Sequence, residues 1–163
     1  MSKEYWVLVA LVIASVLLVT VFGRTDRPRE SLFLFLVAQT VTWPTTIFFH
    51  LIGSTESPVR LFPKATDSNF ILAFVFSPAV FVAYYWHYPR SRGRIRQIAC
   101  TLAFTGGNVL VQVAMQKYTD LLVYIAFSGY KQWLLAVVWY YVIRIYSDWY
   151  FSQLAKARPA NPR

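Results

Sequence analysis

A single cysteine, Cys100, excludes an internal disulfide and any paired-thiol metal site. It sits in an apolar run and reads as a small packing residue. Histidine is nearly as scarce. His50 and His87 fall at opposite ends of the apolar segments, so they cannot share a metal. No HExxH, GxSxG or phosphate-binding glycine loop is present. No carboxylate pair lies within an apolar segment, as general acid and base work would require. An intramembrane hydrolase needs a nucleophile beside a base. Only Thr46 with His50, one helical turn apart, offers that pair, and one such pair is a weak signal. The chain reads as non-enzymatic, without cofactor or metal. It also lacks internal repeats and low-complexity stretches.

Hydrophobic residues, by contrast, make up 57% of the chain, mean hydropathy is +0.44, and only 14% of residues are charged. Soluble domains carry about 25% charge. Several windows exceed the roughly 18 apolar residues that identify a transmembrane helix. The expected fold is all-α: an integral membrane bundle of five transmembrane helices with one short interfacial helix, forming a single domain. The formal charge of +9 can signal nucleic acid. Here the cations lie in short loops between apolar spans, which points to membrane topology and contact with anionic lipids instead.

The first span is Tyr5–Phe22. Its apolar core is longer than the 7–15 residues of a secretion signal, and no small-x-small site follows. It reads as a retained helix on the lipid side. The second span is Leu32–Ile52, with Pro44 predicting a kink near Val41–Thr42. Thr40, Thr45 and Thr46 are placed to bond the freed carbonyls. A polar loop over 53–68 follows, with Asp67 or Ser68 as an N-cap for the third span, Asn69–Trp86. Ser77-Pro78 predicts a second kink there. Tyr84, Tyr85, Trp86 and Tyr88 form an interfacial aromatic belt. The basic run PRSRGRIR, Pro89–Arg96, leads into the fourth span, Ile98–Gln116. Leu121–Phe127 is too short to cross a bilayer and is expected as the interfacial helix. The fifth span is Trp133–Tyr150, where Arg144 and Asp148 stand one turn apart and can pair. The tail, 152–163, is expected to be disordered.

The fourth span carries the most informative pattern. At about 100° per residue, Thr101, Thr105, Asn108, Gln112 and Gln116 fall within an arc of roughly 80°. In the second span Gln39, Thr42, Trp43, Thr46 and His50 fall within about 100°. Polar faces avoid lipid, so the simplest arrangement turns the two against each other. One reading of that seam is a crevice for a hydrogen-bonding or anionic ligand, lined by Gln39, Thr42, Thr46, His50, Thr105, Asn108, Gln112 and Gln116. Arg60, Lys64 and Lys117 would supply a cationic rim. The plainer reading is interhelical hydrogen bonding, worth about 0.6–2 kcal/mol per contact. His50, the titratable group of the seam, is either a proton relay or an ordinary interface residue.

Lys and Arg in the loops set the orientation. One side holds five of them and the other ten, which puts the N-terminus outside and the C-terminus in the cytoplasm. Arg90, Arg92, Arg94 and Arg96 would then face the cytoplasmic leaflet. They serve either as a plain topology signal or as ligands for anionic lipid head groups.

PVRLFPKATDSNF (Pro58–Phe70), the Tyr88-Pro89 turn with its basic tail, and QKYTDLLVYI (Gln116–Ile125) resemble a family of small multi-spanning membrane proteins of spore-forming Gram-positive bacteria. The resemblance covers roughly Glu30 to Phe151. It implies a bacterial plasma-membrane protein and no established activity. It also implies glutamates at the positions of Gln112 and Gln116, so a role for ionised carboxylates there would be lost or altered in this chain. The leading expectation is a membrane protein that binds a partner or polar ligand through its outer face, alone, as a homo-oligomer or with another membrane protein. The alternative is a small oligomeric carrier or channel for a polar or anionic solute, against which the missing inverted repeat counts.

Overall fold

The computed structural model describes residues 3–24, 26–56, 70–119, 121, 123–125 and 128–157. Among them the regular structure is helical apart from one two-residue ladder. Helix α1 covers Lys3–Leu17 and widens into a π-helical turn, Leu18–Phe22. Helix α2 covers Pro28–Leu51. A π-helical stretch, Ile71–Phe76, leads into α3, Ser77–His87. Helices α4, Arg94–Tyr118, and α5, Gly129–Ala157, complete the bundle.

Three of the five expected spans are long and apolar enough to cross a membrane: Lys3–Phe22, Pro28–Leu51 and Arg94–Tyr118. Ile71–His87 is apolar but shorter. At 1.5 Å per residue it reaches about 26 Å, short of a hydrocarbon core of roughly 30 Å. Its expected start and caps, Asp67 to Asn69, lie outside the described residues. Helix α5 has ample length, 29 residues, but its Trp and Tyr side chains, with Arg144 and Asp148, dilute its apolar character.

The expected interfacial helix over Leu121–Phe127 is not what forms. Val123–Tyr124 (β2) is extended and pairs antiparallel with Thr55–Glu56 (β1), and the Ile125 N–H donates to the Ser54 carbonyl at 3.0 Å. So short a segment satisfies few of its own peptide groups as a helix, whereas a neighbouring extended strand supplies partners at once. The tail also departs from expectation. It stays helical to Ala157, and 158–163 lie outside the described residues.

Helix α3 occupies the centre. Every residue from Ser77 to Tyr85 is buried. Helices α1, α2 and α4 each pack against it, and α5 packs on α4 and α2. The outer helices bury one stripe each. On α1 that stripe is Glu4, Leu8, Leu11 and Ser15, spaced as a single helical face. Val12, Ile13, Val16 and Leu17 face outward and are exposed, as expected for a helix on the periphery.

The prolines act differently from one another. Pro44 lies within a continuous α2. Around it Thr40, Thr45 and Thr46 bond the carbonyls of Val37, Val41 and Thr42, whereas the carbonyl that Pro44 frees is that of Thr40. Pro78 sits at the junction between the π-helical stretch and α3. The Ser77 N–H reaches the Leu72 carbonyl, five residues back. The next donor in line would be residue 78, and proline has none. A π turn is a common way to absorb such a break.

The start of α2 meets the end of α3 and the far end of α5. The Trp86 indole donates to Ser31 Oγ at 3.0 Å, and Phe33 stacks on Tyr150 with centroids 4.1 Å apart. The β1–β2 ladder marks the opposite end. Helix α2 stops there at Gly53, whose φ of +68° suits glycine and few other residues.

Candidate functional site

The polar faces of α2 and α4 are both turned inward, but they do not lie along each other. Helices α3 and α5 stand between them, and all four enclose one cavity of about 90 Å³. That is room for several waters, each needing roughly 10–15 Å³ by this measure. From α2 the lining takes Thr42, Thr45, Thr46 and Phe49. From α4 it takes Asn108 and Gln112. Leu72, Ala73, Ser77 and Phe81 form the α3 wall, and Gln132, Ala136, Trp139 and Tyr140 the α5 wall. Thr55 stands at the ladder end of the cavity. Among the described residues the lining contains no charged side chain.

Asn108 is the pivot of this lining. It is 4% exposed. Ser77 Oγ donates to its Oδ1, and its Nδ2 donates to the Tyr140 hydroxyl, both at 3.5 Å. Both contacts lie at the long limit of hydrogen bonding. A carboxamide can make up to four such bonds, so Asn108 keeps capacity for a third party. Gln112 is buried and accepts from Gln132 Nε2 at 3.4 Å. Thr42 and Thr46 direct their hydroxyls to helix carbonyls.

Other predicted seam residues serve the packing. Gln39 donates to the Phe74 carbonyl at 2.8 Å. Thr105 is fully buried, donates to the Thr101 carbonyl and accepts from the Trp133 indole at 3.1 Å. Gln116, half-buried, lies one turn past Gln112 and outside the lining. His50 also lies outside it, and its buried Nδ1 has no hydrogen-bond partner among the described residues. Of the predicted rim, Arg60 and Lys64 fall outside the described residues. Lys117 is exposed, lies against the Tyr118 ring at 5.7 Å, and does not reach the cavity.

At the other end of the bundle the basic loop divides in two. The Gln97 amide donates to the carbonyls of Pro89, Arg90 and Arg92, while Tyr88 donates to Gln97 Oε1. This fixes the loop and aims Arg90 at Asp148, 3.1 Å away. Asp148 also accepts from the Tyr85 hydroxyl at 2.8 Å and pairs with Arg144 at 3.5 Å. The Arg144 guanidinium lies 4.2 Å from the centre of the Tyr88 ring. Arg90 is therefore paired within the fold, while 45% of its side chain stays exposed. Arg92, Arg94 and Arg96 stay exposed.

Tyr140, Gln132, Ser77 and Trp139 escape the sequence pattern. On α5 aromatic residues occur on all faces, so no periodicity singles out Tyr140 or Trp139. Ser77 is legible only as a kink partner of Pro78, and Gln132 as a loop residue. Compared with protein families, with curated proteins and with solved structures, the chain matches none.

Proposed function

We propose that this chain is an integral membrane protein of a bacterial plasma membrane that binds a small, uncharged, hydrogen-bonding molecule between α2, α3, α4 and α5. The observation that carries the reading is Asn108, a buried carboxamide held by two long contacts on the wall of a cavity whose described lining mixes polar and apolar side chains and carries no charge. An anionic ligand would need a cation in that lining. The apolar outward faces of α1, α2 and α4 support the membrane reading, because large exposed apolar surfaces are otherwise rare. In this arrangement the excess of Lys and Arg orients the α1–α2 and α3–α4 links to the cytoplasm. The ligand then enters from outside, at the Thr55–Gln132 end.

The test is thermal unfolding of the purified protein in detergent against a panel of small amides and polyols, with charged analogues beside them. Uncharged hydrogen-bonding solutes should raise the midpoint, since binding to the folded state stabilises it. Ala136→Phe, which fills the cavity, and Asn108→Leu should remove the response. If Leu at positions 50, 108 and 112, introduced singly, raises stability and no solute acts on wild type, the polar seam is only packing.

A further inference from the structure

A second recess lies outside the bundle core, between α1 and α2 and floored by Val75. Its volume is about 470 Å³, within the roughly 300–1,000 Å³ of small-molecule sites. Its walls are Val16, Val19, Leu32 and Phe35. The three hydroxyls among its described lining residues are already engaged. Ser15 donates to the Leu11 carbonyl, Thr20 to the Val16 carbonyl, and Ser31 accepts from Trp86. The recess therefore presents hydrocarbon to its contents.

One end differs. Arg24 closes the recess there. Its Nε and Nη2 hold Asp26 and its guanidinium lies 5.4 Å from the Trp86 ring centre. Arg27 follows in the same link and Arg29 in the first turn of α2. An apolar trough ending in an oriented guanidinium matches an amphiphile with a long hydrocarbon tail and an anionic head.

We propose that this recess holds one acyl chain of an anionic phospholipid, with the phosphate at Arg24. The site is distinct from the polar cavity and shares with the proposed function only the membrane reading. Carbonate washing of cell membranes tests that reading by itself. Protein released by the wash would overturn both.

For the site, native mass spectrometry of the detergent-purified protein compares phosphatidylglycerol with phosphatidylcholine of identical chains. Wild type should keep one phosphatidylglycerol at least tenfold more tightly. Leu32→Trp, at an exposed position on the wall, should cut that retention about tenfold, and Val16→Trp on the facing wall should repeat the effect should the first variant misfold. Arg24→Gln should reduce phosphatidylglycerol to the level of phosphatidylcholine, while Lys156→Gln, away from the recess, leaves the preference intact. Equal retention of both lipids by wild type overturns the proposal. So does unchanged retention in the tryptophan variants, or a lipid-free dimer that Leu32→Trp dissociates.

Discussion

Gln39 Nε2 donates to the Phe74 carbonyl at 2.8 Å, and Phe74 stands four residues before Pro78. One residue earlier, the Ala73 carbonyl accepts from Thr42 Oγ1 at 2.9 Å. Phe74 is the acceptor residue 78 would serve at α-helical spacing, and Ala73 the one it would serve at π spacing. Proline serves neither. Two polar side chains of α2 thus replace the donor that α3 lacks. Gln39→Leu should strand a part-buried carbonyl, at about 1–3 kcal/mol. Thermal unfolding in detergent measures it, and the double variant with Pro78→Ala should recover part of the loss because the helix then supplies its own donor.

Asp148 collects three partners from three places in the chain: Tyr85, Arg90 and Arg144. Asp148→Ala should destabilise the protein by about 1–2 kcal/mol, the lower range for bonds to charged groups, because the carboxylate is 36% exposed and water screens the pairs. Arg90→Gln should cost less, since Arg144, at 15% exposure, keeps its partner. A double-mutant cycle between positions 90 and 148 gives the coupling directly.

Gly23 ends α1 with its N–H shared between the carbonyls of Leu18 and Val19. A Cβ built there would clash with the Val19 carbonyl oxygen. Gly23→Ala must therefore move backbone, at a cost of about 1–3 kcal/mol. An unchanged unfolding midpoint would show that the link relaxes freely. Gly107, by contrast, has nothing within 4 Å of such a Cβ, and Gly107→Ala should stabilise α4 by roughly 0.5–1 kcal/mol.

The Arg24 hydrogen bond holds the Asp26 carboxyl below its ordinary value of 3.8. A depressed carboxylate stabilises the fold above the unfolded-state value, and that contribution disappears as pH falls through the lower folded value. The stability difference between wild type and Asp26→Asn should therefore shrink as pH drops below about 4. At neutral pH, Asp26→Asn should also release Arg24 and strengthen retention of phosphatidylglycerol.

Some of this molecule was legible in the residues alone. The apolar runs gave helices at the right places, because 3.6-residue periodicity and length are local properties. The same periodicity turned Gln39, Asn108 and Gln112 inward, since a polar side chain facing hydrocarbon is costly whatever its neighbours. Tertiary structure alone decided which helix is central, and it chose α3, whose uniformly apolar face pattern names no partner. It placed α3 and α5 between the two polar faces, so that what looked like a seam became a cavity with Tyr140 and Gln132 on its far wall. It also turned Val123–Tyr124 from a helix into a strand, and drew Arg90 away from the basic loop toward Asp148. Those outcomes depend on contacts between residues 30 to 70 positions apart, which leave no periodic trace in the chain.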